Sequence, residues 1–476
     1  RGSILLELER FDEAEKSLLC ALALDPDHPD AFGCLAMAVI GACDWPKVAA
    51  LMPRLLQEVA AGTSVVPPVA FLGQSDDLAL QRRCAETNLK ALLAGAPGVG
   101  TAFYTGDACD HGRLRIAYMS SNFGIHPVAL HIVDLLERHD RTKFEVLGIS
   151  LEPDDGSDLR GRIVKACDAF HDVAAQSDDD VAALLRDLEV DIIIDLNGQT
   201  LGWRPAILVQ RPAPVQLSFL GYAGTTGADF IDYIIADAEA VPAERAAHYS
   251  EKIIHLPHSF WPSDPNRTVA PTPSRAASGL PGDGAVFCAF NNHHKITAPV
   301  FACWMRLLAA VPASVLWLRG APETVVRNLR REAAMHGIDS ARLIFAPRVA
   351  PDMHLARHRL ADLFLDTFPY NAHSSASDAL WMGLPLVTLR GQGFSARVAS
   401  SLLHALNLPE LVADSLAEYE SLAIALARDP VRLQTVRDKL AANLSVAPLF
   451  DSRRFCNDLE TAYRKMWEIS RASEAP

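Results

Sequence analysis

Apolar positions follow two regimes along the chain. From Ile4 to about residue 61 they recur at the three-and-four spacing of amphipathic helices, in short patterns that turn around Leu8-Glu9-Arg10-Phe11 and again at Cys43-Asp44-Trp45. From Arg113 onward, compact apolar runs alternate with helical stretches. Runs at 114–120, 144–150 and 190–196 predict buried strands, with helices over 127–138 and 178–188 between them. A polar, Pro-rich link extends from Trp261 to Pro281, and a second alternating series follows with strands at 285–289, 314–318, 343–347, 363–366 and 386–388. Such alternation predicts two parallel sheets, each covered by helices on both faces. Ligands of sheets like these bind beyond the carboxyl ends of the strands.

The helical opening carries its own signature. Small Ala residues at helix contacts, a turn before Phe11 and the terminal Asp25-Pro26 match the second half of a tetratricopeptide unit, and a degenerate second unit follows to about Ala61. The predicted organisation is therefore repeats over 1–66, a helical connector over 67–111, a first Rossmann-like lobe over 112–262, a linker over 263–280, a second Rossmann-like lobe over 281–450 and a terminal helix over 451–476. Arg1-Gly2-Ser3 lacks a Met and falls within a helical pattern, which reads as a fragment boundary with further repeats ahead of it rather than as a signal peptide.

Composition narrows the partners. The chain has 476 residues, half of them hydrophobic, and a formal net charge of -14, which disfavours nucleic acid and anionic lipid as partners. Its apolar runs are too short or too interrupted to span a membrane. The nine cysteines (Cys20, Cys34, Cys43, Cys84, Cys109, Cys167, Cys288, Cys303 and Cys456) contain no CxxC pair, so reduced thiols in a cytoplasmic protein are expected.

Four segments carry candidate chemistry. The first, Ser120 to Pro127, lies where the first strand hands over to its helix; His126 either handles a proton or caps the helix. The second, Leu220 to Gly227, places Gly221, Gly224 and Thr225 in a tight loop that serves either as a cradle for sugar or phosphate oxygens or as a structural turn. It is not a GxGxxG sequence, which argues against a dinucleotide dehydrogenase. The third, Phe290 to Ile296, puts Lys295 beyond a strand end, as a partner for a pyrophosphate or as a solvated surface cation. His293 and His294 are adjacent, point differently and have no third ligand at a suitable spacing, so no metal site is read there. The fourth, Asp366 to Pro385, ends a strand and opens a helix at Ser374 and Ser375. Its first amides suit a phosphate, His373 adds a donor, and Asp378 can accept from a ribose hydroxyl; an ordinary serine cap is the plainer alternative.

In this order and spacing, the four segments resemble the O-GlcNAc transferase family, including its bacterial members and the related SPINDLY proteins, over about residues 112 to 468. The resemblance implies a GT-B fold of two Rossmann-like domains behind an α-helical tetratricopeptide segment. It also implies transfer of N-acetylglucosamine from UDP-GlcNAc to protein Ser or Thr hydroxyls, with inversion and with no cofactor or metal. By motif, His126 resembles the family's active-site histidine and Lys295 the lysine that contacts the donor diphosphate. Asn292 stands where the family commonly has Gln. His354 and Arg357 resemble nucleoside-binding positions, and His373, Ser374, Ser375 and Asp378 the donor-binding helix start. The short inter-lobe loop suggests a bacterial-type protein. Expected partners are the nucleotide sugar and protein acceptors met by the repeats and the cleft, with homo-oligomerisation left open. A GDP-fucose-dependent O-fucosyltransferase and an inactive repeat scaffold are the alternatives.

Overall fold

A computed structural model describes residues 1–95 and 112–474. Cys109 and the end of the 67–111 connector lie outside the described residues.

The first sheet has seven parallel strands: β1 (Leu114–Ser120), β2 (Phe144–Ser150), β3 (Ala169–Asp172), β4 (Ile192–Asp195), β5 (Val215–Ser218), β6 (Tyr233–Ala236) and β7 (Lys252–His255), in the order β3-β2-β1-β4-β5-β6-β7. The second has six: β8 (Val286–Ala289), β9 (Val315–Arg319), β10 (Leu343–Ala346), β11 (Leu363–Leu365), β12 (Leu386–Leu389) and β13 (Val412–Ala413), in the order β10-β9-β8-β11-β12-β13, again all parallel. Central strands such as β4 and β8 are buried at every position, which is why they read as unbroken apolar runs rather than alternating ones. Each sheet begins third-second-first-fourth-fifth-sixth, the doubly wound order. Its topological switch point falls between the first and fourth strands, β1 and β4 in one sheet and β8 and β11 in the other.

The chain divides into two units, neither continuous in sequence. One joins residues 1–84 to 267–446, so the helical opening belongs with the second sheet; the other joins 85–266 to 447–476, so the last helix belongs with the first.

In the opening segment, helices over Gly2–Glu7, Phe11–Leu24, Ala31–Gly41 and Trp45–Ala61 pack each against the next. The last ends at Gly62, whose φ of 68° supplies the left-handed residue such termini favour. Phe32, Ala36, Ile40, Leu55, Val59 and Phe71 form one core of this segment. Beyond it, the turn after Gly41 grips the second-sheet half of its unit. Trp45 Nε1 donates to Ile296 O at 3.3 Å, Cys43 Sγ to His293 O at 3.4 Å, and Asn328 Nδ2 to Ala42 O at 2.9 Å.

In the other unit, the helix Ser452–Glu474 seats a polar chain in the core. Glu460 Oε1 pairs with His139 Nδ1 at 2.9 Å, His139 Nε2 with Tyr118 OH at 2.8 Å, and Tyr118 OH with Tyr463 OH at 3.0 Å. Every member is buried and partnered, as a stable buried polar network requires. Among the described residues no helix is long and apolar enough to cross a membrane.

Candidate functional site

In the unit containing the second sheet, the switch-point loops after β8 and β11 are strapped together. Asn291 Nδ2 donates to Thr367 Oγ1 at 2.9 Å, Thr297 Oγ1 to Phe368 O at 3.0 Å and Lys295 Nζ to Asn371 O at 2.9 Å. Thr367 Oγ1 in turn donates to Tyr370 O at 2.7 Å, and Phe368-Pro369 is a cis peptide bond. The Lys295 ammonium also lies 3.6 Å from the centroid of the Tyr370 ring.

Lys295 has no carboxylate within ion-pair distance among the described residues, and burial lowers it to about 7, with Asp366 opposing that shift. Asp366, just past β11, is wholly buried. It accepts from Thr367 N at 2.7 Å, Ala372 N at 2.5 Å and Thr388 Oγ1 at 2.6 Å, yet burial raises it to about 7. A cation whose charge is poorly compensated inside protein is what an arriving anion can stabilise.

His373 precedes the helix Ser374–Trp381 and places Nε2 3.2 Å from Ser395 O. Burial and then the neighbouring Lys295 hold its imidazole well below the ordinary histidine range. The amides of Ser374, Ser375 and Ala376 have no acceptor among the described residues, the usual condition of a helix start and one that suits an anion. The loop that carries Ser395 is itself anchored by the opening segment, since Asp76 accepts from Gln392 N at 2.6 Å and Gly393 N at 2.7 Å.

Beside this helix, His354 Nδ1 is bonded to Arg357 Nη2, and Arg357 Nη1 donates to Pro347 O at 2.8 Å while its guanidinium lies 4.5 Å from the Phe290 ring centroid. Burial lowers His354 to about 3 and Arg357 to about 10. The sequence motifs miss Arg267, whose Nη1 donates to Asp378 Oδ1 at 2.5 Å. Asn292 Oδ1, His294 Nε2, Arg357 Nε and Arg267 Nε are buried without a hydrogen-bond partner among the described residues. Orphaned buried donors and acceptors this dense are costly in an apolar setting and fit a polar ligand. Lys295, Asn292, His354, Arg357, His373, Ser374, Ser375 and Asp378 thus all fall in one unit: Asn292 and Lys295 on the loop after β8, His373, Ser374, Ser375 and Asp378 on the loop and helix after β11, and His354 and Arg357 on the helix Pro351–Arg357 after β10.

His126, Gly221, Gly224 and Thr225 belong to the other unit. His126 does cap its helix: Nδ1 accepts from Val128 N at 3.2 Å, and burial lowers the imidazole to about 4. A neutral ring with Nδ1 occupied as acceptor carries its hydrogen on Nε2, so the ring's other edge donates rather than accepts. The amides of Gly124 and Ile125 are taken by Glu152 and Asp155, each at 2.8 Å, and a Cβ on Gly124 would lie 2.4 Å from Asp155 Oδ2.

The glycine-rich loop is likewise internal. A Cβ on Gly221 would stand 1.9 Å from Leu196 O, and one on Gly224 would stand 2.9 Å from the Tyr222 ring. Thr225 Oγ1 donates to the buried Glu251 at 2.7 Å, and Thr226 N donates to the same carboxylate at 2.6 Å. The glycines serve close backbone approach within the loop, and the Thr225 hydroxyl has its acceptor inside the protein.

Comparison with known proteins bears on the family and the fold. A family model, glycosyl transferase family 41, matches residues 100–271 and 264–459. A probable UDP-N-acetylglucosamine–peptide N-acetylglucosaminyltransferase SEC of Arabidopsis thaliana is 37% identical over 371 residues, covering 76% of this chain and 38% of the relative. A UDP-N-acetylglucosamine–peptide N-acetylglucosaminyltransferase of Caenorhabditis elegans is 29% identical over 469 residues, covering 75% of this chain and 41% of the relative. The chain therefore spans about two fifths of the length of these curated relatives. Among solved structures, a lysine-to-methionine mutant of the O-GlcNAc transferase of Thermobaculum terrenum superposes with a TM-score of 0.83 at 28% identity, covering all of this chain and 91% of that one. Two parallel Rossmann-like sheets in doubly wound order give the GT-B-like architecture expected from the sequence, and with it the chain belongs to glycosyl transferase family 41.

Proposed function

We propose that this chain is an inverting glycosyltransferase that moves N-acetylglucosamine from UDP-GlcNAc to Ser or Thr hydroxyls of proteins. The observation that carries this reading is Lys295: a buried, poorly compensated ammonium at the switch point of the second sheet, next to His373 and the open helix start at Ser374 and Ser375. The names of the Arabidopsis and nematode relatives and of the Thermobaculum protein support the donor and acceptor class.

In this reading the helix amides and Lys295 hold the diphosphate, and the charge that grows as it leaves is matched by a cation already in place. No metal is assigned, since lysine and aligned amides furnish that countercharge. His354, Arg357 and Asn292 take the nucleoside, and Asp378 takes the ribose. The acceptor hydroxyl attacks the anomeric carbon opposite the departing diphosphate. His126, donating through Nε2, orients the acceptor, and the hydroxyl proton passes to a donor phosphate oxygen. Protein acceptors are assigned to the helical opening segment.

Thermal shift with UDP and GDP tests the donor. Stabilisation by UDP alone supports the reading, stabilisation by GDP alone moves it to a fucosyl donor, and stabilisation by neither reduces the chain to a scaffold.

A further inference from the structure

Arg267 lies outside the four chemistry-bearing segments, in the first part of the Pro-rich link. The strand of chain it opens runs beside the helix Pro351–Arg357: Ala270 N donates to Asp352 O at 3.2 Å, and Arg359 Nη1 to Thr272 Oγ1 at 3.3 Å. Only 7% of the Arg267 side chain is exposed, and 15% of that of Asp378. Its guanidinium carbon lies 5.7 Å from the Trp381 ring centroid. Asp378 Oδ2 stands 4.0 Å from His354 Nε2, so the carboxylate has Arg267 on one oxygen and the nucleoside-side histidine near the other.

A largely buried ion pair is a weak device for stability, because desolvation offsets most of its attraction. It is a good device for fixing a carboxylate in one orientation. A carboxylate offers about four acceptor positions, so the bond from Arg267 Nη1 does not by itself exhaust them. The buried Arg267 Nε, which has no partner among the described residues, gives the same side chain a second donor at this spot.

We propose that Arg267 is a positioning residue for the ribose of the nucleotide: it clamps Asp378 so that the carboxylate meets the ribose hydroxyls in a preset orientation. The proposal rests on the nucleotide-sugar reading above and extends it to a residue supplied by the link rather than by either sheet. Preorganisation of this kind raises affinity by removing ordering costs at binding.

The test is calorimetric titration of UDP and of 2′,3′-dideoxy-UDP into the wild-type chain, Arg267→Lys and Arg267→Gln, with the melting temperature of each recorded. The wild type should prefer UDP. Arg267→Gln should weaken UDP by about tenfold while changing the dideoxy ligand by less than about twofold, and Arg267→Lys should fall between. Equal weakening of both ligands, or unchanged UDP affinity, overturns the proposal. If Arg267→Gln does not fold, the same comparison is decided on Arg267→Lys. A wild-type chain that binds UDP and its dideoxy analogue equally well contradicts the ribose role of Asp378. One that binds no nucleotide sinks the donor reading, and this proposal with it, before any variant is made.

Discussion

The two sheets share a strand order, and each ends its fourth strand at a buried aspartate, yet the two carboxylates are used differently. Asp195, at the end of β4, accepts from Asn197 N and Gly198 N, each at 3.0 Å, and Asn197 closes the loop onto Ser121 by donating to its hydroxyl at 2.6 Å. Burial raises Asp195 to about 6. Asp366, past the end of β11, is raised to about 7 by burial as well, but Lys295 lies within its field and opposes the shift. One fold position thus holds a carboxylate bonded within its own loop in the first sheet and the neighbour of a buried cation in the second. A shared scaffold carries different charges at corresponding positions, and function is to be argued from the site rather than from the fold.

The largest effect that sharpens this contrast is expected from Lys295→Met. Turnover should fall on the order of a thousandfold, as when one stabiliser of developing charge is lost. The melting temperature should hold or rise, because burial disfavours the ammonium that is removed. Near-normal turnover by this variant would remove the cation from the mechanism.

His126 tests the other unit. His126→Asn keeps a good helix cap but not the imidazole, whereas His126→Ala loses both and about 1 kcal/mol of stability with the cap. Turnover down by about a hundredfold, as when a reacting group is misoriented, in both variants, with stability kept only in Asn, identifies an imidazole role separate from the cap. Full activity in the Asn variant would leave His126 as a cap alone.

The next effect is on pH. Because burial lowers Lys295 to about 7 in the free protein, donor kcat/KM should fall as pH rises through that value and the ammonium is lost. The Asp366 charge raises Lys295, so Asp366→Asn should move the falling limb to lower pH. An unmoved limb would dissociate the two groups. The smallest effect is on stability: Asp195→Asn, which turns an acceptor of two backbone amides into a partial donor, should cost about 1–3 kcal/mol in thermal unfolding, with turnover per folded molecule kept within a few fold.

Much of this was legible in the chain. The apolar runs at 114–120 and 144–150 coincide with β1 and β2, and the turn at Cys43-Asp44-Trp45 joins two observed helices. The edge strands β3 and β7 were not, because their exposed or half-exposed residues carry no apolar run to mark them. The union of the helical opening with the second sheet was hidden too, since its contacts, such as Trp45 with Ile296, link residues 251 positions apart. For Gly221 and Gly224 the signal was ambiguous in kind: a glycine that admits a ligand and one that admits a neighbouring carbonyl read alike. Arg267 gave no signal at all, because an arginine in a Pro-rich link has no period and no motif around it.

The central claim, that Lys295 makes the second sheet the donor-handling half, is tested most directly by measuring UDP release from UDP-GlcNAc in the presence of acceptor peptide, for the wild type and Lys295→Met side by side. The account predicts release and glycosylated peptide with the wild type, and loss of both with a folded Lys295→Met chain. Release at wild-type rate by that variant would contradict it.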